Sequence, residues 1–108
     1  MTHLLHLIEP ADWEAALDTG AVRPPSLDDV GFVHLSTPEQ VHLPAQRLFA
    51  GRTDVLLLVV DQGQLDDEIR WEPGHPDDPP AMRFPHLYGP LPVSAVVDAV
   101  PYRPDSFS

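Results

Sequence analysis

The sequence predicts an α+β fold, with two small packed β-sheets and two helices in the N-terminal half. Three observations carry this reading. Segments that alternate apolar and polar residues outnumber segments with helical spacing. Both helical patterns fall before Gly51. Fourteen prolines in 108 residues break the chain into short pieces, which disfavours a doubly wound parallel sheet. At this length, with 43% hydrophobic residues, the chain reads as one globular domain over residues 1–108.

The elements follow in order. His3 to Ile8 reads as a first strand, with Leu4, His6 and Ile8 on one face and His3, Leu5 and Leu7 on the other. Pro10 opens a helix that Gly20 closes after Thr19, with Trp13, Ala16 and Leu17 as its buried stripe. Ala21 to Arg23 predicts a short strand, and Ser26 to Val30 a turn or single helical turn capped by Ser26. In GFVHLSTPEQ, residues 31–40, Phe32, His34 and Ser36 alternate with Val33 and Leu35 as a strand would place them. Thr37 then offers a helix N-cap, Pro38 the first helical position and Gln40 the return arm of a capping box. That helix is expected to reach Ala50, to bury Val41, Ala45, Leu48 and Phe49, and to kink at Pro44.

Asp54 to Asp61 is the most apolar segment and predicts a central strand covered on both faces. Leu65 is expected to plug back into the core from the loop that follows. Glu68 to Glu72 predicts a strand anchored by Trp71. Residues 73–80 read as a flexible surface loop, and 84–91 as an extended, partly buried arm. Val93 to Tyr102 predicts the last strand, with Pro101 marking a sheet edge, and the tail after Arg103 is expected to fray.

Composition narrows the function. The net charge is −11 and all six basic residues are arginine, so no basic cluster exists. Broad nucleic-acid or anionic-membrane binding is therefore not expected, while a small phosphate-bearing ligand remains open. The absence of cysteine removes thiolate catalysis, disulfides and cysteine-based metal sites. The first ten residues carry no basic region or cleavage motif, and no apolar run is long enough to span a bilayer, which fits a cytoplasmic protein.

Seven polar residues stand in otherwise apolar strand or arm contexts: His6, His34, Ser36, Arg70, Glu72, His86 and Tyr88. A cleft assembled on a sheet recruits residues from several strands in this way. Arg70 and Glu72 share a strand face about 6.6 Å apart, where a guanidinium keeps a carboxylate ionised. Such a carboxylate can steady a developing positive centre. Three neutral imidazoles, His6, His34 and His86, with Glu72 as base, would instead suit a metal-dependent hydrolase. No tight ligand spacing supports that alternative. A non-catalytic ligand- or partner-binding module is the other.

His6, Trp13 and Ala16, GFVHLSTPEQ at 31–40, RWE at 70–72 and FPHLYGPL at 84–91 together resemble the bacterial domain family of unknown function 952. The resemblance covers nearly the whole chain. That family is similar in fold to ADP-ribosyltransferases and to NAD-using RNA 2′-phosphotransferases. The resemblance implies two sheets packed at an angle around a cleft for NAD. It implies that His6 grips the adenosine ribose and that His34 lies in the same cleft. It also implies that Glu72 hydrogen-bonds the nicotinamide ribose and supports the oxocarbenium-like centre. Glu72 and His34 are then the catalytic candidates. His6, Ser36, Arg70, His86 and Tyr88 are the NAD-binding ones. The phosphate-gripping arginine set of those enzymes is not recovered beyond Arg70.

Overall fold

Alternation and proline placement produce many short elements in the structure, a computed structural model that describes residues 3–74 and 82–102. They run β1 (His3–Ile8), α1 (Pro10–Thr19), β2 (Ala21–Val22), α2 (Pro25–Asp29), β3 (Val33–His34), α3 (His42–Phe49), β4 (Leu56–Asp61), β5 (Ile69–Pro73), β6 (Arg83–Leu87), β7 (Leu91–Pro92) and β8 (Val96–Pro101). All strand pairs are antiparallel. They form the sheets β1-β4-β8 and β3-β6-β5 and the ribbon β2-β7. The α+β class is as the sequence predicts. The helices number three among the described residues, because Pro25–Asp29 completes a turn and a half.

Strand β4 is central and covered on both sides. Leu58 and Val60 join Leu4 and Ile8 in the larger core, while Leu57 packs with Leu5 and Val41 on the opposite face. The two faces read from the alternation of β1 are therefore the two faces observed. Leu65 packs against the larger core as expected. Pro101 pairs with Leu56 on the outer strand β8. Gly20 closes α1 at φ 90°, a left-handed conformation that glycine adopts without steric cost, and its N–H donates to Ala16 O.

Four expectations need correction. Helix α3 starts at His42, not Pro38, and its N-cap is Val41. The capping box is half formed: Thr37 N–H donates to Gln40 Oε1 at 3.2 Å, but residues 38–41 stay in turns. Pro44 consequently lies in the first helical turn, where a missing N–H leaves no internal bond unmade. Gln40 O takes the N–H of Leu43 instead, at 2.9 Å, so Pro44 starts the helix and does not interrupt it. Leu17, Leu48 and Trp71, read as core, are exposed at 54%, 68% and 43%. A thin layer of short helices cannot cover every apolar position. Residues 83–87, read as an arm, form the central strand β6, and Pro85 sits within it with its carbonyl accepting from Leu35 N–H at 3.0 Å. Ser26 does not cap α2, whose N-cap is Pro24, but donates to Phe32 O at 2.8 Å and closes the turn into β3. Most of the loop read at 73–80, and the tail from Arg103, lie outside the described residues.

The two larger sheets are joined by one bridge. Leu5 N–H donates to Ser36 O at 2.7 Å and Ser36 N–H to Leu5 O at 2.8 Å. This places the end of the 33–36 segment beside β1 and brings His34 and Ser36 next to His6. Truncating the fully buried Leu58 to alanine should cost about 2–5 kcal/mol of stability in urea denaturation. Leu48→Ala should stay within about 0.5 kcal/mol, since its side chain faces solvent.

Candidate functional site

A cavity of about 570 Å³ lies between the ends of β1 and β3, helix α1, the start of α2 and helix α3. That size suits a small-molecule or cofactor site, which ranges over about 300–1,000 Å³. His6, His34 and Ser36 all contribute to its lining. His6 and Ser36 are buried and His34 is exposed at the rim.

Chemistry at His6 is fixed by the backbone. Its Nδ1 lies 2.7 Å from His34 O, and a carbonyl only accepts, so Nδ1 carries the proton. Burial holds the pKa of His6 below its ordinary value, which keeps the ring neutral. Nε2 is then a bare lone pair available to the cavity, an acceptor for a ligand hydroxyl or N–H. His34 is also lowered, by burial and by the neighbouring His86.

A second group lies on the adjoining face of the β3-β6-β5 sheet. His34 pairs directly with His86, and His86 with Arg70, so their side chains share one face. His86 is 1% exposed. Phe32 stacks on it with ring centroids 3.9 Å apart, 10° from parallel, and His34 meets it edge-on at 5.2 Å. Its Nδ1–H donates to Glu72 Oε1 at 2.9 Å, and Tyr88 O–H donates to the same oxygen at 2.7 Å. These two donors, Tyr88 first, hold the Glu72 carboxyl below the usual carboxylate range. Oε1 is thus anchored twice, while Oε2 has no donor among the described residues. Arg70 lies with its guanidinium 4.4 Å from the Tyr88 ring centre and is paired with Glu68 at 2.9 Å, not with Glu72. His86 Nε2 is buried without a partner among the described residues.

The seven residues named from the sequence therefore do not meet in one hollow. His6, His34 and Ser36 line the cavity. Arg70, Glu72, His86 and Tyr88 form a cluster beside it, and His34 belongs to both. His86 lies too deep to touch a ligand directly and instead holds Glu72. Sequence reasoning missed Phe32, although its parity with His34 was visible, and it missed Arg23, Glu9 and Asp12, which line the cavity from helix and loop positions. Among the described residues no three His, Asp or Glu side chains gather to hold a metal ion. His6, His34 and His86 do not form such a group.

The lowered histidines give stability a pH dependence of definite sign. Unfolded, His6 and His34 take protons near 6.5; folded, they resist them. Below that value the unfolded state binds more protons, so stability falls with pH and is fully present above it. The melting temperature should drop between about pH 7 and about pH 5, above the range where the lowered carboxylates of Glu68 and Glu72 titrate. His6→Gln should flatten that slope.

No curated protein matches the chain. The crystal structure of protein CC0527 from Caulobacter crescentus is 32% identical, with 98% of each chain covered and a TM-score of 0.79. A double mutant of that protein matches equally, and its solution NMR structure gives 0.76 over 97% of this chain and 90% of that one. No helix among the described residues is long and apolar enough to cross a membrane. The model of the family described as "Protein of unknown function (DUF952)" matches residues 7–99, and the chain belongs to that family.

Proposed function

We propose that this chain binds an NAD-like nucleotide as substrate and carries out ADP-ribosyl or related transfer. One observation carries the reading. A neutral, acceptor-only nitrogen, His6 Nε2, lines a cavity of cofactor size. At His34 that cavity adjoins a carboxylate anchored through one oxygen, with the other left open. His6 accepts a ribose hydroxyl. The ligand extends past His34, and Ser36 offers its hydroxyl alongside. Glu72 lies two strands across and two residues along from His34, roughly 12 Å between Cα atoms, a distance an extended dinucleotide spans.

In the transfer step the bond between ribose C1′ and the nicotinamide nitrogen breaks, and nicotinamide leaves with the bonding pair. Glu72 Oε2 accepts a ribose hydroxyl and offsets the positive charge that grows at C1′. An acceptor nucleophile then adds at C1′ and loses its proton. His86 and Tyr88 keep the carboxylate ionised and aimed. The chain's net charge of −11 opposes nucleic acid as the acceptor.

A second reading is a non-catalytic binding module. It is favoured by the fact that Glu72 does not line the cavity. Calorimetry with NAD and ADP-ribose, combined with an assay of nicotinamide release, separates the two. The transfer reading expects binding, with release that Glu72→Gln lowers about 10²-fold or more while affinity changes little. Binding without release selects the module. No heat from millimolar ligand sinks the transfer reading and leaves a module whose ligand or partner is not a nucleotide.

A further inference from the structure

Resting on the nucleotide reading, we infer that the cavity receives the nucleoside end of the ligand, an uncharged ring system that donates a hydrogen bond, and leaves the phosphates outside. Three features support this.

The first is donor and acceptor matching. The His34 carbonyl fixes the His6 proton on Nδ1, so the nitrogen left for the cavity is an acceptor. An ionised phosphate presents only acceptors, and would set lone pair against lone pair there. A ribose hydroxyl or a base N–H supplies the missing donor.

The second is charge. Among the described residues the ionised groups in the lining are Glu9, Asp12 and Arg23, one net negative charge. Arg52, which reaches the lining residue Glu9 at 3.0 Å, is also engaged by both oxygens of Asp54 at 2.7 Å. Arg23 is exposed at the rim. A phosphate taken inside would lose its hydration without a dedicated counter-charge, a penalty of several kcal/mol per ion.

The third is the helix end that faces the cavity. The start of α1 would ordinarily favour an anion. Here Glu9 is its N-cap residue, Pro10 removes one N–H, and Asp12 already sits in the first turn. Neither carboxylate caps the helix, but both bring negative charge to that end, which opposes a phosphate there. Apart from the hydroxyls of Thr19, Ser26 and Ser36, the remaining walls, among them Leu7, Ile8, Val22 and Phe49, are apolar and suit the face of a planar base.

The test is calorimetry at fixed ionic strength with the uncharged nucleosides adenosine and inosine and with AMP and ADP-ribose. At least one nucleoside should bind, and adding phosphate should change affinity by less than about threefold, under 1 kcal/mol. His6→Ala should weaken the nucleoside about tenfold or more. Should His6→Ala fail to fold, the His6 ring signals of the native protein give the same answer. They should move on adding the nucleoside and not on adding inorganic phosphate. A phosphate-bearing ligand that binds about tenfold tighter than either nucleoside, and loses that advantage in Arg23→Ala, overturns the inference. So does ADP-ribose binding when neither nucleoside binds, a result that leaves the nucleotide reading standing. No heat from any of the four overturns the inference together with that reading.

Discussion

Everything that positions the site depends on how four residues, Val33 to Ser36, are held from two sides at once. On one side Leu35 N–H donates to Pro85 O and His34 pairs with His86. On the other, Ser36 exchanges two hydrogen bonds with Leu5, and His34 O takes the proton of His6. The segment is thus a seam between two sheets. Its alternation buries Val33 and Leu35 fully and turns Phe32 and His34 to the opposite face. A slip of one residue would exchange those sets, placing two imidazole-bearing or hydroxyl-bearing groups in the core. The apolar half of the pattern protects the polar half from that error.

The seam also divides the chemistry. On the β1 side the histidines are neutral because burial penalises their charged forms. On the β5 side Glu72 is held ionised by two donors. A neutral acceptor and a fixed anion therefore stand on either flank of His34, without a direct ion pair between them. His86 connects the two. It is clamped by Phe32 and His34 and directs its Nδ1 proton at Glu72. Its Nε2 is buried and has no partner among the described residues.

Much of this was legible in the residues. The period-two run at His3 to Ile8 gave both faces of β1, and the Val- and Leu-rich run before Asp61 gave the central strand. Gly20 marked the end of α1 because only the left-handed turn there needed it. The hydrogen-bonding candidates on the sheets were also legible, since an isolated polar residue in an apolar strand stands out. Three things were not. The start of α3 turned on a competition between two caps, Thr37 and the turn before His42, that local pattern does not decide. The exposure of Leu48 and Trp71 depends on how far neighbouring elements extend over them. The cavity's helix-borne lining, Glu9, Asp12 and Arg23, consists of ordinary surface residue types whose meaning comes only from where the helices dock. The separation of Glu72 from the cavity belongs to the same class, because the register of β5 against β6 sets it.

The claim on which the account turns is that His6 presents a bare Nε2 to the cavity. Long-range proton–nitrogen NMR of the imidazole rings at neutral pH reads this directly. The account predicts the His6 proton on Nδ1 and none on Nε2. A proton on Nε2, with Nδ1 bare or with both nitrogens protonated, would contradict it.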